Sequence, residues 1–295
     1  MTSRRVFIKS ASALSAALFV KSPLNAFAAA PLIGLQLYTV RDNMEKDPEG
    51  TLAKVAQIGY NSVENATYTG SEKFYGMDAE TYKKLLANNG LVSLSGHYRV
   101  GEEMVKGAPQ NGTILHDWQK AVDDASAVGL KYMVCAYLSD QERGTLDHYK
   151  QLADIFNKAA ETCKKSGIQF CYHNHNFEFE AQGGVFPYDI LLDKTDKDLV
   201  KMEMDLYWIK KAGQDPLALF HKHPGRFPLW HIKDMSKEAS QTFTEVGNGI
   251  IDFKTIFQHK GEAGMKYFFV EQDKCPGSPF DSIAQSIKFI KANLV

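Results

Sequence analysis

Eight short apolar or alternating runs recur along the chain: Ile33–Tyr38, Ser62–Ala66, Val92–His97, Tyr132–Tyr137, Ile168–His173, Val200–Asp205, Pro228–Ile232 and Tyr267–Glu271. Each has the length of a strand. Between most of them apolar residues return at helical spacing. After the first run Asp47 can cap a helix, Pro48 suits its first position, Leu52, Val55 and Ala56 share a face, and Gly59 ends it. Asp78, Leu85, Leu86 and Gly90 repeat this pattern, and Leu152, Ile155, Phe156, Ala159 and Cys163 lead to Gly167. The run-to-run spacing suits a βα unit of about 30 residues or more. Eight such units predict an α/β fold, a single-domain closed (β/α)8 TIM barrel. The rival, an open doubly wound sheet, would need a glycine-rich phosphate turn after an early strand, and no G-x-G-x-x-G occurs. The polar insert Arg99–Thr113 predicts a lid or rim loop beyond the third strand.

In such a barrel the carboxyl ends of the strands surround the active site. Seven of the eight runs end in ionisable or amide groups: Gln36 and Tyr38, Glu64 and Asn65, His97, His173 and His175, Glu203 and Asp205, His231 and Lys233, Glu271 and Asp273. Strand alternation sends every second residue inward, so His173 and His175 share a face, as do His231 and Lys233. An inward cluster of Asp, Glu and His with no shared partner would be a costly set of desolvated charges. A single divalent cation resolves that cost, and mixed carboxylate and imidazole donors suit manganese, cobalt, zinc or magnesium.

Residues 1–28 carry a different pattern. A basic start, Ser3-Arg4-Arg5-Val6-Phe7-Ile8-Lys9, precedes a mildly apolar run at Ala11–Val20 and then Ala26-Phe27-Ala28. These are the parts of an export signal of twin-arginine type, whose passengers cross the membrane already folded. The apolar run is too short to span a bilayer, so no stable membrane insertion is expected once the signal is removed. Residues 29–295 then form the barrel, in a periplasmic location.

Composition narrows the function. The chain has 34 basic and 35 acidic residues, 44% hydrophobic and 23% charged, which excludes disorder as the main state. The export signal holds four of the basic residues and no acidic one, leaving a mature charge of about −5. That argues against nucleic acid as a partner. Four Cys over this length are too few for a disulfide framework, and their spacing is not that of a zinc knuckle.

The mature chain resembles the xylose-isomerase-like barrel superfamily, in the branch of sugar phosphate isomerases and epimerases. The resemblance rests on Ile33–Arg41, the YHNHNFEF run at 172–179, Met204–Trp208, His231-Ile232-Lys233-Asp234, Gly247–Phe253 and the strand end at Glu271. It implies one divalent metal ion held at the ends of strands 5 to 8, with Asp205, His231 and Glu271 as three ligands. For the strand-5 ligand, residue type points to Glu178 and register points to His173. It also implies abstraction of a proton beside a carbonyl through an enediolate, with Glu271 as base and His173, His175 or Lys233 as acid. Gln36, Tyr38, Glu64, His97 and Trp208 are expected to face substrate, with Phe177 in an apolar wall. His221 and His223 read as surface-loop residues.

The expected function is a metal-dependent isomerase or epimerase of a sugar or keto-sugar. The alternative is a lyase or dehydratase on a 3-keto-glycoside or related oxidised sugar, which an imidazole at the strand-5 position would also suit. A non-catalytic sugar-binding barrel and a DNA-repair nuclease are the remaining readings. Phosphorylated sugars are scarce outside the inner membrane, so export favours a small carbohydrate without phosphate. Related barrels often pair, which leaves a homo-oligomer open.

Overall fold

Eight parallel strands close edge to edge in a computed structural model that describes residues 31–101, 104–105 and 108–295; the expected export signal lies outside these. The strands are β1 (Gly34–Gln36), β2 (Ser62–Asn65), β3 (Val92–Tyr98), β4 (Tyr132–Cys135), β5 (Gln169–His173), β6 (Val200–Asp205), β7 (Leu229–Ile232) and β8 (Tyr267–Val270). Each pairs with its neighbours in sequence, and β8 pairs with β1. The helices that follow them in turn are α1 (Pro48–Ile58), α2 (Ala79–Asn88), α3 (Trp118–Val128), α4 (Leu146–Lys165), α5 (Pro187–Lys194), α6 (Pro216–Lys222), α7 (Phe253–Gln258) and α8 (Pro279–Asn293). This is the expected closed (β/α)8 barrel.

Local chemistry sets the helix ends. Asp47 accepts the Gly50 amide at 2.9 Å, Pro48 opens α1, and Gly59 ends it with φ +113°. Asp78 accepts the Thr81 amide at 2.8 Å and starts α2. The buried faces of the helices, Leu52 and Val55 on α1 and Leu152, Phe156 and Cys163 on α4 among them, pack in the main apolar core. The first run is shorter as a strand than its pattern suggests. Gln36 turns its amide oxygen to the Tyr38 N–H at 3.0 Å, and Leu37–Val40 becomes a 3-10 turn.

Inside the barrel the side chains lie in layers. Leu94, Val134, Cys171, Leu229 and Phe269 form a separate apolar cluster. A Cβ on Gly34 would lie 2.3 Å from the Phe269 ring, so glycine at that position makes room for it. Two residues further along β5, β7 and β8 the inward side chains become His173, His231 and Glu271. On β3, Leu94 and His97 both face inward although three residues apart. The pairing with β2 shifts there, from Val63 opposite Ser93 to Glu64 opposite Ser95, and this bulge supplies the extra residue.

The rim insert after β3 is closed by backbone bonds from Ile114 to Arg99 and from Leu115 to Val100, and it carries a small ribbon, Met104–Val105 with Ala108–Pro109. A second ribbon pairs Asp234–Met235 with Phe243–Thr244. The loop beyond it is gathered by one carboxylate. Asp234 Oδ1 accepts the amides of Met235 (2.8 Å) and Ile251 (3.2 Å), and Oδ2 those of Gly247 (2.9 Å) and Gly249 (3.0 Å). A Cβ on Gly249 would lie 2.2 Å from Asp234 Oδ1. Replacing Asp234 by Asn turns one acceptor into a donor facing amide N–H groups, and a loss of about 3 kcal/mol is expected from the urea midpoint. A loss under about 0.5 kcal/mol, the scale of an ordinary surface change, would show that this carboxylate does not organise the loop.

Candidate metal centre

The ends of β5 to β8 bring together two groups of ligand-type atoms that share His231: Asp205 and Glu271 on one side, His173 with His97 and Glu203 on the other. His173 ends β5, Asp205 ends β6, His231 lies within β7 and Glu271 follows β8, and all four are buried. Strand register explains the meeting: Asp205 pairs with His231, and His231 with Phe269, two residues before Glu271. Asp205, His231 and Glu271 present ligand-type atoms all within 4.8 Å of one another. His231 Nδ1 lies 2.8 Å from Glu271 Oε2, and His173 Nε2 lies 3.6 Å from Asp205 Oδ2. Asp205 divides its two oxygens. Oδ1 accepts the Trp208 amide at 3.0 Å and caps the short helix Leu206–Lys211, while Oδ2 is buried and accepts no hydrogen bond.

Lys233, two residues beyond His231, sends its ammonium to the Asp205 and Glu271 side. Nζ lies 3.1 Å from Asp205 Oδ2, 2.8 Å from Glu271 Oε2 and 2.8 Å from Asp273 Oδ1. Beneath lies a second polar group. Glu203 Oε2 contacts His173 Nδ1 and His97 Nε2, each at 3.0 Å, and His231 Nε2 at 3.2 Å. Glu64 Oε2 contacts His231 Nε2 at 2.5 Å, His97 Nε2 at 3.1 Å and Gln36 Nε2 at 2.8 Å.

The electrostatics follow from burial and crowding. Burial opposes the charge of Glu64, yet His97 and His231 hold it well below the usual carboxylate range. Burial and the Glu64 charge push Glu203 up to about 7. Burial also raises Asp205 and Asp273. Glu271 is held low by Lys233 and His231 against its own desolvation. Desolvation likewise opposes the charged forms of His97 and Lys233, but neighbouring carboxylates raise His97 to about 9 and hold Lys233 well above its ordinary value. His173 and His175 are driven down by burial and by nearby cations, His175 to about 3. Both are neutral imidazoles at pH 7.

The cavity above this cluster measures about 640 Å³. Tyr38, Tyr137, His175, Phe177 and Trp208 line it, with Arg99 and Arg143. His175 stacks on Phe177 with ring centroids 5.3 Å apart, and the Arg143 guanidinium lies 3.9 Å from the centroid of the Phe177 ring. Tyr38 is exposed at the rim. His97 and Lys233 reach the cavity from below, whereas Gln36 and Glu64 are buried in the lower layer and bond to each other.

One expected ligand is not brought to the cluster. Glu178 follows β5 in the 3-10 turn Phe177–Phe179, and its two oxygens bond the Tyr172 hydroxyl (2.5 Å) and the His175 amide (2.9 Å). The turn carries it back onto Tyr172, the residue before His173. His221 is exposed and pairs with Glu262, in keeping with a surface residue. Glu203 and Asp273 were not singled out as site residues, although alternation back from Asp205 places Glu203 inward and alternation onward from Glu271 places Asp273 there. Arg99 and Arg143 come from loops, where no periodicity marks them.

The donor set fits a divalent ion. It offers two imidazoles and two carboxylates, and the buried Asp205 Oδ2 has only the Lys233 ammonium at 3.1 Å and the His173 ring at 3.6 Å beside it. His173, Asp205, His231 and Glu271 would hold the ion.

Comparison with known proteins agrees with this fold. Two-thirds or more of the chain, residues 52–293, matches the family model of the xylose isomerase-like TIM barrel. A sugar phosphate isomerase/epimerase of Parabacteroides distasonis is 28% identical with a TM-score of 0.76, over 88% of this chain and 97% of that one. The IOLI protein with a bound zinc atom shares the fold, with a TM-score of 0.69 at 14% identity over 90% of this chain and 98% of that one. In sequence, the inosose dehydratase of Lacticaseibacillus casei is 25% identical over 177 residues, 52% of this chain and 58% of that protein. The chain therefore spans little more than half the length of that relative. It belongs to the xylose isomerase-like TIM barrel family.

Proposed function

We propose that the chain is a divalent-metal-dependent enzyme that removes a proton beside the carbonyl of a small sugar or keto-sugar, as an isomerase or epimerase. The convergence of His173, Asp205, His231 and Glu271 beneath one cavity carries this reading. When bound, a divalent ion at these residues polarises a substrate carbonyl and acidifies the adjoining C–H bond. Glu271 is the base. Its hydrogen bonds and ion pairs run through Oε2, which leaves Oε1 for the substrate proton. Lys233 keeps that carboxylate ionised and offers an N–H to the oxygen on which negative charge develops. His175, neutral at pH 7 and outside the ligand set, lines the cavity beside it as a second proton acceptor. Tyr38, Phe177 and Trp208 give the carbohydrate C–H faces an apolar wall.

Elimination is the second reading, and Lys233 favours it. Its ammonium lies 2.8 Å from Glu271, so base and acid sit side by side. Glu271 would take the proton next to the carbonyl, the C–O bond one carbon further would break, and Lys233 would protonate the departing oxygen. The likeness to inosose dehydratases supports this arm. Keto-sugars, inososes and 3-keto-glycosides incubated with metal-loaded protein in D2O decide between the arms by NMR. Deuterium gained with every group retained marks isomerisation or epimerisation, and release of water or aglycone marks elimination. Glu271→Gln is expected to lower kcat by about 10²–10⁴-fold. No exchange with any of these substrates would remove the proposal.

Metal titration of the purified chain tests the ligands. One ion per chain is expected, with Asp205→Asn and Glu271→Gln each weakening binding by more than about 10-fold. Glu178→Gln is expected to leave the stoichiometry at one. Loss of the ion in that variant alone would reassign the strand-5 ligand.

Residues 1–28 are proposed to direct folded export, so that residues 29–295 work in the periplasm. The Arg4→Lys/Arg5→Lys double variant is expected to stay in the cytoplasm on cell fractionation. Undiminished export of that variant would contradict a twin-arginine route.

A further inference from the structure

A second cavity of about 600 Å³ adjoins the one above the cluster. Arg143, Asn176 and Phe177 line both, so the two meet across these three side chains. Each alone has the size of a small-molecule site, about 300–1,000 Å³. The second lies between the loops that follow β4 and β5, on the face where the first one opens. Its walls are built from fixed parts. Asp140 accepts from Arg143 Nε at 3.0 Å, and the same guanidinium lies on the Phe177 ring. Gly183 and Gly184, at φ +60° and +84°, make a tight turn in which Gln182 and Val185 exchange backbone hydrogen bonds at 2.9 and 3.1 Å. Only the Gln182 side chain is then left to face the cavity. Among the described residues, three neutral side chains here have polar groups without a hydrogen bond. The Asn176 amide does not cap the turn that follows it. The Gln182 amide bonds nothing, and nor does the hydroxyl of Tyr149, a side chain that lines the cavity although its residue is only 1% exposed.

We propose that this second cavity is a subsite for an uncharged sugar ring, so that the substrate is a two-ring glycoside with its reacting ring in the first cavity. The lining selects this chemistry. An anionic group would meet the Glu180 carboxylate, and Arg143 already has Asp140 as its counter-ion. An apolar group would strip water from the Asn176 and Gln182 amides and the Tyr149 hydroxyl and return no hydrogen bond. Sugar hydroxyls both donate and accept, so they satisfy all three. Arg143, Asn176 and Phe177 stand where the link between the two rings would cross. The choice of the first cavity for the reacting ring rests on the function proposed above; the fit of the second cavity to a sugar ring does not.

Calorimetric titration of the full-length chain tests the subsite with sugars that have no free carbonyl and so do not react. The probes are methyl glucoside, methyl maltoside, methyl cellobioside, trehalose and sucrose. At least one of the four two-ring probes is expected to bind about 10-fold more tightly than methyl glucoside, the worth of one or two hydrogen bonds. Gln182→Ala and Tyr149→Phe should each cut that advantage by about 3–10-fold and leave the Kd of methyl glucoside unchanged. The proposal is overturned if no two-ring probe binds more tightly than methyl glucoside, or if none binds at all. An advantage that survives Gln182→Ala in full, or an equal loss for methyl glucoside in that variant, would also overturn it. If Tyr149→Phe fails to fold, Gln182→Ala decides. A two-ring advantage without deuterium exchange on any keto-sugar removes the proposed function and leaves the subsite standing. Exchange without a two-ring advantage removes the subsite alone.

Discussion

Five carboxylates and three basic groups crowd the upper interior of one narrow barrel, and the cost of keeping them from water constrains everything around them. Glu64, Glu203, Asp205 and Glu271 are buried, with Asp273 beside them, and only His97, His231 and Lys233 supply positive charge. Unpaired, each carboxylate would be expensive to desolvate. The raised pKa values of Glu203, Asp205 and Asp273 show where compensation is incomplete, and the low value of Glu271 shows where Lys233 and His231 complete it. A cluster balanced in this way is stable enough to exist and still short of positive charge, which is the condition for capturing a cation.

The barrel manages this by giving separate atoms separate duties. Asp205 uses one oxygen to start a helix and keeps the other for the cluster. Asn174 accepts the Asp205 amide at 3.1 Å and holds the ends of β5 and β6 together. Glu178, close in sequence and alike in chemistry, commits both oxygens to Tyr172 and His175 and so supports the wall of the cavity instead. Asp234 spends both of its oxygens on the loop that the Gly247-Asn248-Gly249 motif forms. The same functional group thus serves as helix cap, loop clasp, wall support and candidate ligand, according to which N–H groups reach it first.

The barrel and much of its polar centre are legible in the sequence because both rest on period-two alternation. The runs at β5 to β8 pass from apolar residues to His173, Asp205, His231 and Glu271 at their ends, and register brings those ends together. Legibility stops where periodicity stops. The bulge beside Glu64 resets the inward face of β3, so the direction of His97 cannot be counted from Leu94. Glu203 is visible by alternation, but a second carboxylate on one strand reads as redundant until its contacts with three histidines are known. Arg99 and Arg143 enter the cavity from loops whose path no local pattern dictates. Glu178 follows the strand in a 3-10 turn, so its direction cannot be counted by alternation either.

Among the described residues an apolar plug closes the lower side of the chamber. Leu94, Val134, Cys171, Leu229 and Phe269 fill the barrel interior below the polar layer, and Gly34 yields its own volume to the Phe269 ring. A molecule entering the cavity from its open side passes Tyr38, Tyr137 and Trp208. Whatever sits deepest has to arrive before whatever sits above it and leave after it, so the order of loading is written into the shape of the vessel.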